Sequence, residues 1–159
     1  MGFYTLYRRI GASIPNQHHP GAARRMAKHL KLYRTLWKRS VKNMESVLGA
    51  GGHVAIEWPT SCSYWRFREV RAFIQKHDLK KVKIHGCALG AASASGIPIM
   101  KPWTICTSMP SLVDGLKSYR CSGDHDHEII AGSKQSSRSA VYPPLLAKVV
   151  HGIFGRHCL

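Results

Sequence analysis

Acidic side chains are scarce in this sequence. Eight Asp and Glu stand against 24 Lys and Arg, which leaves a net charge of +16 and an isoelectric point near 10.1. A domain this short of acids meets a polyanion, so nucleic acid is the expected partner, DNA ahead of RNA, and an anionic membrane surface less so. Long apolar runs are missing as well. No stretch reaches the length of a membrane span, and Met1 to Ile10 (MGFYTLYRRI) has no apolar core of the kind a secretory signal carries. A Met-Gly start suits myristoylation only with Ser or Thr at position 6, where this chain has Leu6. Cysteine is limited to five residues, an odd number without regular spacing, which excludes a secreted disulfide scaffold. The expectation is an intracellular protein, cytoplasmic or nuclear, with no membrane partner.

What is present suits one folded domain. The chain has 159 residues, 44% of them hydrophobic, with four Trp, six Tyr and four Phe, too many aromatics for a disordered segment. Residues 1–20 end in a His-, Pro- and Gly-rich loop and are expected to be poorly ordered, leaving a single α/β domain over 21–159. From Ala22 to Leu48 apolar residues recur at nearly 3.6 spacing (Met26, Leu30, Tyr33, Trp37, Val41, Met44), which predicts a helix stopped by Gly49, Gly51 and Gly52. Its other face carries Arg24, Lys28, Lys31, Lys38 and Lys42, flanked by Arg25, Arg34 and Arg39, with one acid, Glu45. That face is the first candidate for phosphate contact. His53–Glu57 reads as a buried strand closed by Trp58-Pro59. The hydroxyls of Thr60 to Ser63 are expected to cap a second helix through Tyr64, Phe67, Val70 and Phe73. Lys80–His85 and Pro102–Thr107 read as further strands joined by a Ser/Gly loop, hence antiparallel to one another. Ser111–Leu116 and Pro143–Phe154 read as helices.

This is an α/β layered order. The first and second strands are expected to lie parallel and adjacent. Three strands are fewer than a full doubly wound sheet holds, so the chain is expected to be part of a larger sheet or to have another chain completing it.

Several short motifs follow in a fixed order: Val54-Ala55-Ile56-Glu57-Trp58-Pro59, Gly86-Cys87-Ala88-Leu89-Gly90, Lys101-Pro102-Trp103-Thr104, Cys121 with His125-Asp126-His127, and Tyr142-Pro143-Pro144-Leu145. Over roughly residues 14–154 this succession resembles the C-terminal half of DNA cytosine-5 methyltransferases and their phage and retroelement relatives. The resemblance implies a partial doubly wound, class I methyltransferase-like sheet with a terminal antiparallel strand pair and flanking helices. It also implies that Glu57 matches the acid that hydrogen-bonds the target base, a role suited to a carboxyl group that accepts from an amine or, when protonated, donates to a ring nitrogen. Two departures limit the activity implied. No strand here is followed by a glycine-rich turn that would hold S-adenosylmethionine, and Asn16 of Ile14-Pro15-Asn16-Gln17 stands where the family has its nucleophilic Cys. The implied chain is degenerate or truncated and non-catalytic by itself, binding no cofactor alone. S-adenosylmethionine would enter only with a missing N-terminal half.

Two further constellations rest on residue chemistry alone. Cys121, His125 and His127 place a thiol and two imidazoles within seven positions, which are zinc ligand types, with Cys87, Cys106 or water as the fourth ligand and Asp124, Asp126 and Glu128 beside the imidazoles. Zinc is therefore a possible cofactor, and a zinc-stabilised structural module an alternative function. Around the second helix, Trp58, Tyr64, Trp65 and Phe67 alternate with Arg66, Arg68 and Arg71. Aromatics interleaved with Arg stack on bases, so Arg66 and Arg71 join the nucleic-acid candidates, although the same spacing also describes a helix with a buried aromatic face.

Overall fold

The computed structural model describes residues 21–129 and 141–157. The expectation for residues 1–20 lies outside that range. Among the described residues no helix is long and apolar enough to cross a membrane. The chain divides into two compact units, Met1–Val54 and Ala55–Leu159.

The described part of the first unit is dominated by helix α1, Ala22–Gly49. At 28 residues it is about 42 Å long. Tyr33, Trp37, Ser40 and Met44 are buried, and the Tyr33 and Trp37 rings stack with centroids 6.4 Å apart. The glycines end it as expected. The Ala50 N–H reaches back to the Ser46 carbonyl, and the Gly52 N–H to that of Val47.

The second unit is built on three strands, β1 (Ala55–Pro59), β2 (Lys80–His85) and β3 (Pro102–Thr107), in spatial order β1-β3-β2. The antiparallel pairing of β2 with β3 is as expected, Val82 opposite Ile105 and Ile84 opposite Trp103. The parallel neighbours expected of β1 and β2 are not found. The two strands run the same way, but β3 lies between them and pairs antiparallel with both, Glu57 opposite Ile105. The reason lies in β3 itself, whose residues Trp103 to Thr107 are all buried. The strand with apolar groups on both faces takes the centre, and the lysine-bearing β2 takes an edge. The first strand also starts and ends two residues later than expected. Pro59, lacking an N–H, sits at its end on an edge strand, so Glu57 is mid-strand rather than at the tip.

Strand alternation divides the side chains between two faces. On one, Val82, Ile84, Trp103 and Ile105 pack with Leu112 and Leu116 of α3 (Pro110–Leu116) and Leu146 and Ile153 of α4 (Pro144–His157). On the other, Trp58 meets Tyr64 and Trp65 edge-on at 5.4 and 4.7 Å. The second helix is not continuous. A 3₁₀ turn, Ser63–Arg66, is followed by Phe67 in extended conformation, and α2 covers only Arg68–Lys76. The Thr60 hydroxyl does not cap it but shares a 3.0 Å hydrogen bond with Thr104 of β3. Pairing β1 to β3 holds that hydroxyl at the sheet, and the Trp65 indole N–H, bonded to the Pro59 carbonyl at 3.1 Å, tightens the turn.

Candidate metal centre

The four residues Cys87, Cys121, His125 and His127 come together although the chain places them in two distant segments. Their ligand atoms all lie within 4.8 Å of one another, and each side chain is half-buried. Cys87 opens a one-turn 3₁₀ helix, Cys87–Leu89, at the end of β2. Gly86 brings the chain there close to its neighbours: a Cβ on it would lie 3.0 Å from the Ile99 carbonyl and 3.1 Å from the Ala91 side chain. The other three ligands sit on the irregular stretch after α3. Gly123, at φ +82°, turns this stretch so that Cys121 and the imidazoles face one point.

Three contacts hold the geometry. The Cys121 N–H donates to Nδ1 of His85 at 2.9 Å, tying the loop to the last residue of β2. Asp124 receives the Ser122 hydroxyl and contacts Nδ1 of His125 at 2.8 Å, leaving Nε2 of that ring toward the cysteine. The Glu128 N–H donates to the Pro98 carbonyl at 2.9 Å, closing the far end against the Ser/Gly loop. The Cys121 sulfur then stands 3.4 Å from Nε2 of His127 and 3.7 Å from Nε2 of His125. A tetrahedral zinc with Zn–S near 2.3 Å and Zn–N near 2.05 Å separates sulfur from nitrogen by about 3.6 Å. The donor set and these two distances are compatible with a bound metal ion.

Burial pushes the Cys87 thiol up, and the neighbouring Cys121 adds to this. Burial, Arg120 and His127 hold His85 below the ordinary histidine value, which keeps its Nδ1 an acceptor. The hydrogen bonds from Ser122 and His125 hold Asp124 below the usual carboxylate range. Cys106, the other protein candidate for fourth ligand, is fully buried in β3 and is no part of the cluster.

Glu57 lies elsewhere, inside the second unit and 9% exposed. By alternation it faces the same side as Trp103 and Ile105. The Tyr142 hydroxyl, 85 positions along the chain, donates to its Oε2, while Oε1 is buried with no hydrogen-bond partner among the described residues. Burial raises its pKa to about 7, against the opposing pull of the Tyr142 hydrogen bond and of Lys101. Lys101 itself has a strained backbone, φ +27°, and sets its ammonium 5.4 Å from the Trp103 ring centre. No local signal in the sequence links Tyr142 or Lys101 to Glu57; both contacts are long-range.

The remaining candidates are spread out. Arg24, Lys28, Lys31, Lys38 and Lys42 are all exposed on α1, as are Arg25, Arg34 and Arg39. Arg66 and Arg71 are exposed on the 3₁₀ turn and on α2, but the aromatics expected to stack beside them are not available: Tyr64 and Trp65 are buried. Lys81 covers the Trp65 ring at 4.7 Å. No protein-family model, curated protein or solved structure matches this chain.

Proposed function

We propose that this chain is a nucleic-acid-binding domain, methyltransferase-like in ancestry, clasped by zinc and not catalytic by itself. One observation carries the binding. At 100° per residue, Arg24, Lys28, Lys31, Lys38 and Lys42 fall within an arc of about 80° on α1, opposite the buried Tyr33, Trp37 and Met44. A helix face of that kind tracks a phosphate backbone, and its affinity comes from released counterions. Five phosphate contacts on duplex DNA give a slope of about −4.5 in log affinity against log salt. Binding of duplex DNA measured from about 50 to about 200 mM salt tests this. Affinity that does not change across that range rejects the reading.

The metal reading rests on the convergence of Cys87, Cys121, His125 and His127. Zinc is the metal those two thiols and two imidazoles select. Metal analysis of the purified chain is expected to give about one equivalent of zinc, with loss on His127→Ala.

A second reading is favoured by Glu57. Its unpartnered Oε1 and raised pKa suit the base-binding acid of the cytosine methyltransferases that the motif order resembles. In that reading another chain supplies the S-adenosylmethionine site and the nucleophile, and it adds strands at an outer edge of the β1-β3-β2 sheet. Methyl transfer from labelled S-adenosylmethionine, seen only with the partner and lost on Glu57→Gln, is the expected result. Transfer that survives the substitution removes Glu57 from the chemistry.

A further inference from the structure

We infer that the Cys87–Cys121 pair is a peroxide-sensitive modification site, at which oxidation joins the two sulfurs and expels the bound metal. The inference rests on the metal reading above and adds a regulation to that centre.

Geometry is the first ground. The two sulfurs belong to one cluster whose ligand atoms lie within 4.8 Å, and both side chains are half-buried, so a small oxidant reaches them. Two thiolates on one tetrahedral zinc stand about 3.8 Å apart, and a disulfide needs about 2.05 Å. Side-chain rotation supplies the difference at this place. Cys87 begins a single 3₁₀ turn and Cys121 lies on irregular chain, so neither backbone is locked in a strand ladder.

Selectivity is the second ground. Thiolate is the reactive form, and zinc holds its cysteine ligands as thiolates. Among the other described cysteines, Cys106 is fully buried with its thiol pushed up to about 11, chiefly by burial. Burial and the nearby Glu57 likewise push the Cys62 thiol up, against a backbone hydrogen bond that lowers it. Both stay protonated and slow at neutral pH.

The chemistry balances with hydrogen peroxide as oxidant. One thiolate sulfur attacks a peroxide oxygen. The O–O bond breaks, and the departing hydroxide takes a proton to become water, leaving a sulfenic acid. The second thiolate attacks that sulfur, the S–O bond breaks, and a second hydroxide leaves and is protonated. Two thiolates, one peroxide and two protons become one disulfide and two waters, with two electrons passing from sulfur to oxygen. Zinc loses both anionic ligands and keeps only His125 and His127, too few to hold it.

The test uses the full zinc-loaded chain in a Cys62→Ser, Cys158→Ser background. It is titrated with hydrogen peroxide in the presence of a chromogenic zinc chelator, and the disulfide is located by peptide mapping. The expected result is about one zinc released per Cys87–Cys121 disulfide, reversed by dithiothreitol and added zinc. Zinc retained while peroxide is consumed, or zinc lost with Cys87 and Cys121 carried on to sulfinic acid without a disulfide, overturns the inference and leaves the metal reading standing. A chain that takes up no zinc before oxidation overturns both.

Discussion

Glu57 illustrates how a single buried side chain makes stability depend on pH. Its carboxyl is raised from 4.5 to about 7 because burial penalises the anion more than the Tyr142 hydroxyl and Lys101 favour it. In the unfolded chain it ionises near its ordinary value, so between pH 4.5 and 7 the folded state holds more protons than the unfolded one. Stability therefore falls as pH rises through that window, by up to about 3 kcal/mol from this group, and levels off above it. Glu57→Gln removes the titration. Denaturant melts of both proteins from pH 4.5 to 8 are expected to show their stability difference shifting in favour of the variant as pH rises. A difference that does not vary with pH means Glu57 is ionised in the fold. Glu57 could be read from the sequence as a strand acid, but its environment could not, since Tyr142 lies 85 positions away.

At the scale of elements, α1 was the most legible part, because a 3.6-residue repeat sustained over 28 residues is a strong local signal and glycines mark its end. The separation of its two faces makes a prediction that folding does not confuse. Replacing Lys31, Lys38 and Lys42 by Glu keeps good helix formers on exposed positions, so helicity by circular dichroism is expected to stay unchanged. The salt slope of DNA binding is expected to become shallower by about 2.7, as three phosphate contacts are lost. An unaltered slope assigns DNA binding to another surface. The turn at Gly86 is a second element-scale case. Gly86→Ala puts a methyl group against the Ile99 carbonyl and the Ala91 side chain. It is expected to cost about 1–3 kcal/mol in chemical denaturation and to weaken zinc binding through the adjoining Cys87. The second helix was less legible. Its aromatic spacing suggested one continuous helix, but Phe67 is extended, and the hydrogen bonds of Thr60 to Thr104 and of Trp65 to Pro59 set the turn.

At the scale of the whole molecule, a metal held by Cys87, Cys121, His125 and His127 would join segments that the chain keeps apart. Stripping zinc with a chelator is expected to lower the melting midpoint by more than about 10 °C if free zinc stands 1,000-fold above its Kd beforehand, since such binding contributes about 4 kcal/mol. Amide exchange is expected to rise at residues 86–91 and 120–128 ahead of the β3 core. An unchanged midpoint denies the metal any part in stability. The sequence by itself determined the basic character, the helix with its two faces, three strands, and three of the four clustered ligands, because charge, periodicity and short spacings are local properties. Only the tertiary structure decided that β3 stands between β1 and β2, that Cys87 rather than Cys106 joins the cluster, and that Glu57 meets Tyr142. Each of these is a choice among partners distant in the chain, made by which arrangement buries most apolar surface and leaves fewest polar groups without a bond.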